Sequence, residues 1–145
     1  ALTVTPFIET LLNDTDAAAA RATLGAQVAG SYQAAVGPVA GGTVTQATSK
    51  STAVTLNKST GLITMASDAL TAGVAVSFLV NNSLYALTDV IALTIVGGYS
   101  LASNYRCWAN GNNAGSFIIS LENRSGASLS NAVQLQFAII KGAVS

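Results

Sequence analysis

Only twelve formal charges, six basic and six acidic, are spread over this 145-residue chain, yet half of its residues are apolar. A soluble monomer of ordinary composition is about one quarter charged and keeps its exposed apolar patches small. At 8% charged, this chain has too little charge to cover a surface of its own. The simplest arrangement that satisfies it hides much of that surface against further copies of itself. The length allows one domain with a real core plus a short appendage.

The same scarcity limits the chemistry. There is no histidine and a single cysteine. General acid–base catalysis and metal sites draw mostly on His, Cys and clustered carboxylates. The reading is therefore a structural or binding protein and not an enzyme, with no cofactor and no metal. Cys107, beside Trp108 in an apolar stretch, reads as a small buried hydrophobe rather than a reactive thiol. Arg21, Lys50, Lys58, Arg106, Arg124 and Lys141 are scattered, so the footprint of a nucleic-acid binder is missing. The longest apolar run, Val90 to Val96, is far shorter than the ~20 residues of a membrane-spanning helix.

Two regions are predicted, 1–42 and 43–145. In the first, Thr5 is a plausible N-cap with Pro6 at the first helical position. Phe7, Ile8, Leu11 and Leu12 follow at helical spacing. Asp14 or Thr15 caps a second short helix through Ala17 to Ala20, which Gly25 stops. Residues Gln27 to Gly42 read as a linker. From Thr43 the period changes to two. Strands are predicted over Thr43–Thr48, Ala53–Lys58, Leu62–Met65, Val74–Val80, Val90–Val96, Tyr99–Trp108, Phe117–Leu121 and Val133–Ile140. The near-continuous apolar run Val90–Val96 is expected to be buried on both faces. Turns are expected at Ser59-Thr60-Gly61 and at Asn110 to Asn113, and a single helical turn at Asp68 to Ala72. Short strands at this spacing indicate a mainly β fold, an antiparallel sandwich or barrel, and a jelly roll fits the strand count.

The segment from Thr5-Pro6-Phe7 through Asp14-Thr15-Asp16 to Leu24-Gly25 resembles an element of tailed-bacteriophage fibre and tail-spike proteins, where it forms a trimeric helical neck. Gly42 to Lys58, Gly115 to Asn123 and Phe137 to Gly142 resemble the knob domains at the tips of phage tail needles and fibres. The resemblance implies a homotrimeric jelly roll similar to the tumour-necrosis-factor fold. It also implies a place at the virion tip, host attachment through a bacterial surface glycan or other receptor, and contact with other tail proteins through the neck. A purely structural role (tail plug, head fibre or trimerisation cap) is the alternative, and a glycan-cleaving tailspike a more distant one.

The candidate receptor-binding residues are Tyr99, Tyr105, Arg106, Trp108, Asn110, Asn112, Asn113 and Arg124. Aromatic faces stack on sugar rings, and Asn amides offer a donor and an acceptor to hydroxyl pairs. The competing reading makes Tyr99 and Tyr105 core or interface residues and the Asn-rich segment only a turn. Strand alternation puts Arg106 and Trp108 on the face opposite Tyr105 and Cys107. Glu122 and Arg124 share a strand face and could pair across a subunit boundary. Asp68, Asp89 and Glu122 are the acids left for a two-carboxylate hydrolase, but they fall at predicted strand or turn edges, where a solvated or capping role is expected; Asp68 and Asp89 are the candidates for a hard cation, and neither stands in an Asp-x-Asp-x-Asp pattern.

Overall fold

The computed structural model describes residues 41–142. The predicted helices and most of the linker lie outside these residues. Eight strands form two four-stranded sheets. They are β1 (Gly41–Thr45), β2 (Val54–Thr55), β3 (Thr60–Thr64), β4 (Ala75–Asn81), β5 (Val90–Gly97), β6 (Tyr105–Asn113), β7 (Ser116–Asn123) and β8 (Gln134–Ile140). Sheet A has the order β1-β3-β8-β5 and sheet B the order β2-β4-β7-β6. From β1 to β6 the chain alternates between sheets at every step, and only β6 and β7 form a hairpin.

That alternation changes one expectation. The sandwich is not antiparallel throughout, because β1 pairs parallel with β3 and β2 pairs parallel with β4. A chain that arches to the other sheet and back returns in its original sense, so strands two apart in sequence meet in parallel. The pairs β3–β8, β5–β8, β4–β7 and β6–β7 are antiparallel.

The inward positions follow the period of two. Ile63, Leu135, Phe137 and Ile139 from sheet A meet Phe78, Val80, Phe117, Ile119 and Leu121 from sheet B, all buried. An edge-on aromatic column crosses the layer. Tyr85 packs on Phe117 at 5.4 Å between ring centroids, and Phe117 on Phe137 at 5.3 Å. Phe117 lies on β7 and Phe137 on β8, so this contact joins the two sheets directly.

Three further expectations are corrected. The apolar run Val90–Val96 is not buried on both faces. It becomes β5, the edge strand of a sheet with one layer behind it, and Val90 and Val96 remain 60% and 43% exposed. Thr60 and Gly61 lie within β3 instead of a turn, because their pairing with Ala138 and Phe137 completes the ladder. No helical turn forms at Asp68–Ala72. Leu70 makes an antiparallel bridge with Leu129, with backbone hydrogen bonds of 2.9 and 3.0 Å in the two directions.

Buried polar groups fix the connections. Asn123 donates from Nδ2 to the carbonyls of Leu70 and Ala127, both at 2.8 Å. Its Oδ1 accepts from the Ser125 amide and hydroxyl. Lys50, 1% exposed, donates from Nζ to the Ala66 and Asp68 carbonyls. Burial pushes its ammonium pKa down, and Asp68 opposes part of that shift.

The end of β8 is held by Asp89. Its carboxylate, 1% exposed, accepts from Lys141 Nζ at 2.6 Å and from the amides of Ala86 and Gly142. Burial alone would raise its pKa, but these hydrogen bonds and the Lys141 charge outweigh it and hold the carboxyl below its usual range. A carboxyl whose pKa is lower folded than unfolded stabilises the fold above the unfolded value, near 4, and that contribution is lost as pH falls through the folded one. Thermal melts from pH 7 to pH 2 therefore show a steeper acid loss for the native protein than for Asp89→Asn. The variant starts from a lower Tm at pH 7.

Candidate functional site: the outer face of sheet B

The β6–β7 hairpin carries most of the candidate residues. Its turn falls at Ala114-Gly115, where Gly115 takes φ +86°. The Asn110–Asn113 segment is thus not the turn. It continues β6, and a bulge between Gly111 and Asn113 accommodates the extra residue. Gly111 permits close approach of Tyr85, since a Cβ there would stand 2.6 Å from the Tyr85 hydroxyl.

Alternation along β6 separates two sets of side chains. Tyr105, Cys107 and Ala109 face the core. Tyr105 is therefore a core residue and not an exposed receptor contact. Its ring is buried and its hydroxyl donates to Asn131 Oδ1 at 2.9 Å. Burial raises its pKa, and the bond to Asn131 opposes that shift. Cys107 is half-buried against the core, and burial pushes its thiol pKa up, away from reactivity.

Arg106, Trp108 and Asn110 occupy the outward positions. The Arg106 guanidinium carbon lies 5.3 Å from the Trp108 ring centroid, a cation–π contact. Arg106 is opposite Glu122, Trp108 opposite Ser120 and Asn110 opposite Ile118 on β7. One strand further, Ala75, Ser77 and Leu79 of β4 complete the rows. The Ser77 and Ser120 hydroxyls hydrogen-bond at 2.8 Å beside Trp108. The result is a platform with one indole, one guanidinium, a carboxylate, the exposed Ser77 hydroxyl and an amide, with Ser120 buried beneath them at 3% exposure.

The remaining candidates lie at its margins or elsewhere. Arg124 is exposed just past β7, and its amide donates to the Asn104 carbonyl at 2.8 Å. Glu122 and Arg124 form no ion pair with each other. Asn112 and Asn113 are exposed near the hairpin turn, and Asn112 Nδ2 bonds Ser116 Oγ at 3.1 Å. Tyr99 lies in the β5–β6 connection, partly exposed and outside the rows of the platform. Ser77 and Ser120 join the site only through strand register, which no local pattern in the sequence announces.

Of the acids considered for other chemistry, Asp68 and Asp89 are engaged by Lys50 and Lys141. Among the described residues no three His, Cys, Asp or Glu side chains gather into a metal-binding group, and no helix is long and apolar enough to cross a membrane. No protein-family model, curated protein or solved structure matches the chain.

The two faces of β6 give a direct stability contrast. Tyr105→Ala removes a buried ring and leaves Asn131 Oδ1 without its donor, at a cost of about 3–5 kcal/mol. Arg106→Ala and Trp108→Ala cost about 1 kcal/mol or less each. Urea unfolding followed by circular dichroism measures both.

Proposed function

We propose that this chain is the tip of a bacteriophage appendage, a tail-needle knob or tail-fibre head, that attaches the virion to a bacterial surface glycan without chemical turnover. The observation that carries this reading is the outward Trp108, stacked with Arg106 and flanked by Asn110 and the Ser77–Ser120 pair. Indole faces receive the apolar face of a sugar ring, while amides, hydroxyls and a guanidinium satisfy its hydroxyl groups. The sequence resemblance to phage knobs supports the virion location. It also supports a jelly-roll topology similar to the tumour-necrosis-factor fold and attachment to other tail proteins through the neck.

We further propose a homotrimer. Its support is the outer face of sheet A. Thr43 and Thr45 of β1, Thr60, Leu62 and Thr64 of β3, Gln134, Gln136, Ala138 and Ile140 of β8, and Val90, Ala92, Thr94 and Val96 of β5 include no charged residue. An open groove runs over Thr60, Ala92, Thr94, Gln136 and Ala138. A face of this kind suits burial against other copies, and such burial is the simplest way to accommodate the low charge of the whole chain. Three copies of the Trp108 platform would then act together and raise avidity.

Two experiments test this reading. In solution, light scattering on a sizing column gives a mass near three chains for the native protein, and Thr94→Glu, which places a charge beside the groove on sheet A's outer face, lowers it towards one chain. A native monomer at micromolar concentration overturns the trimer. On a panel of bacterial-surface glycans, the labelled protein binds selectively and Trp108→Ala binds at least about tenfold more weakly, a loss of about 1.4 kcal/mol. Silence across the panel, with the trimer intact, favours the structural plug or cap.

A further inference from the structure

The Arg106 guanidinium is held over an indole but spends none of its N–H donors. Among the described residues the two ion pairs are Lys50–Asp68 and Lys141–Asp89, and the Arg106 side chain makes neither an ion pair nor a hydrogen bond. It stands opposite Glu122 in the ladder and still does not pair with it. Arg124, two residues beyond Glu122, is also exposed and without a carboxylate partner. The outward positions of sheet B thus carry one cation and one anion, Arg106 and Glu122, and Arg124 lies exposed just past the end of β7, in a chain that places charge sparingly. The outward positions of β4 and β2 (Ala75, Ser77, Leu79, Asn81, Thr55) are uncharged.

From this arrangement we propose that the Trp108 platform selects a carboxylated saccharide over a neutral one, with the carboxylate received by Arg106. The inference rests on the glycan-attachment reading and sharpens it. A guanidinium stacked on an aromatic ring keeps its edge free, and that edge presents paired N–H groups in the geometry of a carboxylate. The contact with Trp108 restrains the side chain, so less freedom is lost when the acid binds. A sugar ring whose carboxylate meets Arg106 reaches Trp108 and the Ser77 and Asn110 side chains with its remaining face and hydroxyls. Glu122 accepts hydroxyl hydrogens at the same level and disfavours a second acid group there.

The test uses immobilised oligogalacturonate and its carboxyl-reduced neutral counterpart, with the full chain as analyte. The acid form binds about tenfold more tightly, as expected for one charge-assisted pair. Arg106→Gln brings the ratio near one, whereas Lys58→Gln, which removes the same charge from another part of the fold, leaves it unchanged. Trp108→Ala weakens binding of both saccharides. Equal binding of the two saccharides by the native protein overturns the carboxylate inference and leaves glycan attachment standing. Equal loss of preference in Lys58→Gln, or displacement by millimolar inorganic phosphate alone, also overturns it, because either marks a general attraction for anions. Binding to neither saccharide overturns it as well. The glycan panel then decides separately whether attachment itself survives.

Discussion

The contact between Phe117 and Phe137 is the interaction on which the rest of the fold depends. Each ring belongs to a central strand of its own sheet, and their edge-on packing is where the two layers meet. The chain moves between the layers at nearly every strand, so no sheet forms from a continuous stretch of sequence. Each ladder depends on strands brought back from the other layer, and the shared core holds them in place. The two parallel pairs, β1–β3 and β2–β4, are products of this weaving. Gly61 stands beside the same Phe137 ring, where any larger side chain would intrude.

Connections that cross between layers expose backbone groups that need partners. Here a few buried polar side chains supply them. Asn123 closes the region around Leu70 and Ala127, Lys50 caps the Ala66–Asp68 strip, and Asp89 ties the loop at Ala86 to the end of β8. Each of these groups is costly to bury alone and is retained because its polar atoms are matched. The few charges this chain has are used in part for this internal purpose. Lys50 and Asp89 are buried in this role, while their partners Asp68 and Lys141 stay partly at the surface.

The two outward faces consequently differ in kind. Sheet A presents Thr, Gln, Ala, Val and Ile with no charge, and its edge strand β5 stays open to solvent on that side. Sheet B presents an indole, a stacked guanidinium and hydroxyls. In the function proposed above, the first would be the assembly surface and the second the recognition surface. A single domain accommodates both because alternation lets each strand contribute independently to the core and to one outer face.

That the described region is β, that β4, β7 and β8 lie close to Val74–Val80, Phe117–Leu121 and Val133–Ile140, and that Arg106 and Trp108 point away from Tyr105 and Cys107 can all be read along the chain. Those features are local, because a period of two is written into consecutive residues. The partial exposure of β5 was not legible, since an apolar run looks the same whether one layer or two will cover it. Nor was the strand character of Asn110–Asn113, because only the register with β7 and the approach of Tyr85 decide that a bulge and not a turn forms there. The burial of Lys50 and the placing of Ser77 and Ser120 beside Trp108 likewise belong to the tertiary structure. They join residues distant in the chain, and such neighbours are chosen by the packing of the two sheets and not by any pattern along one strand.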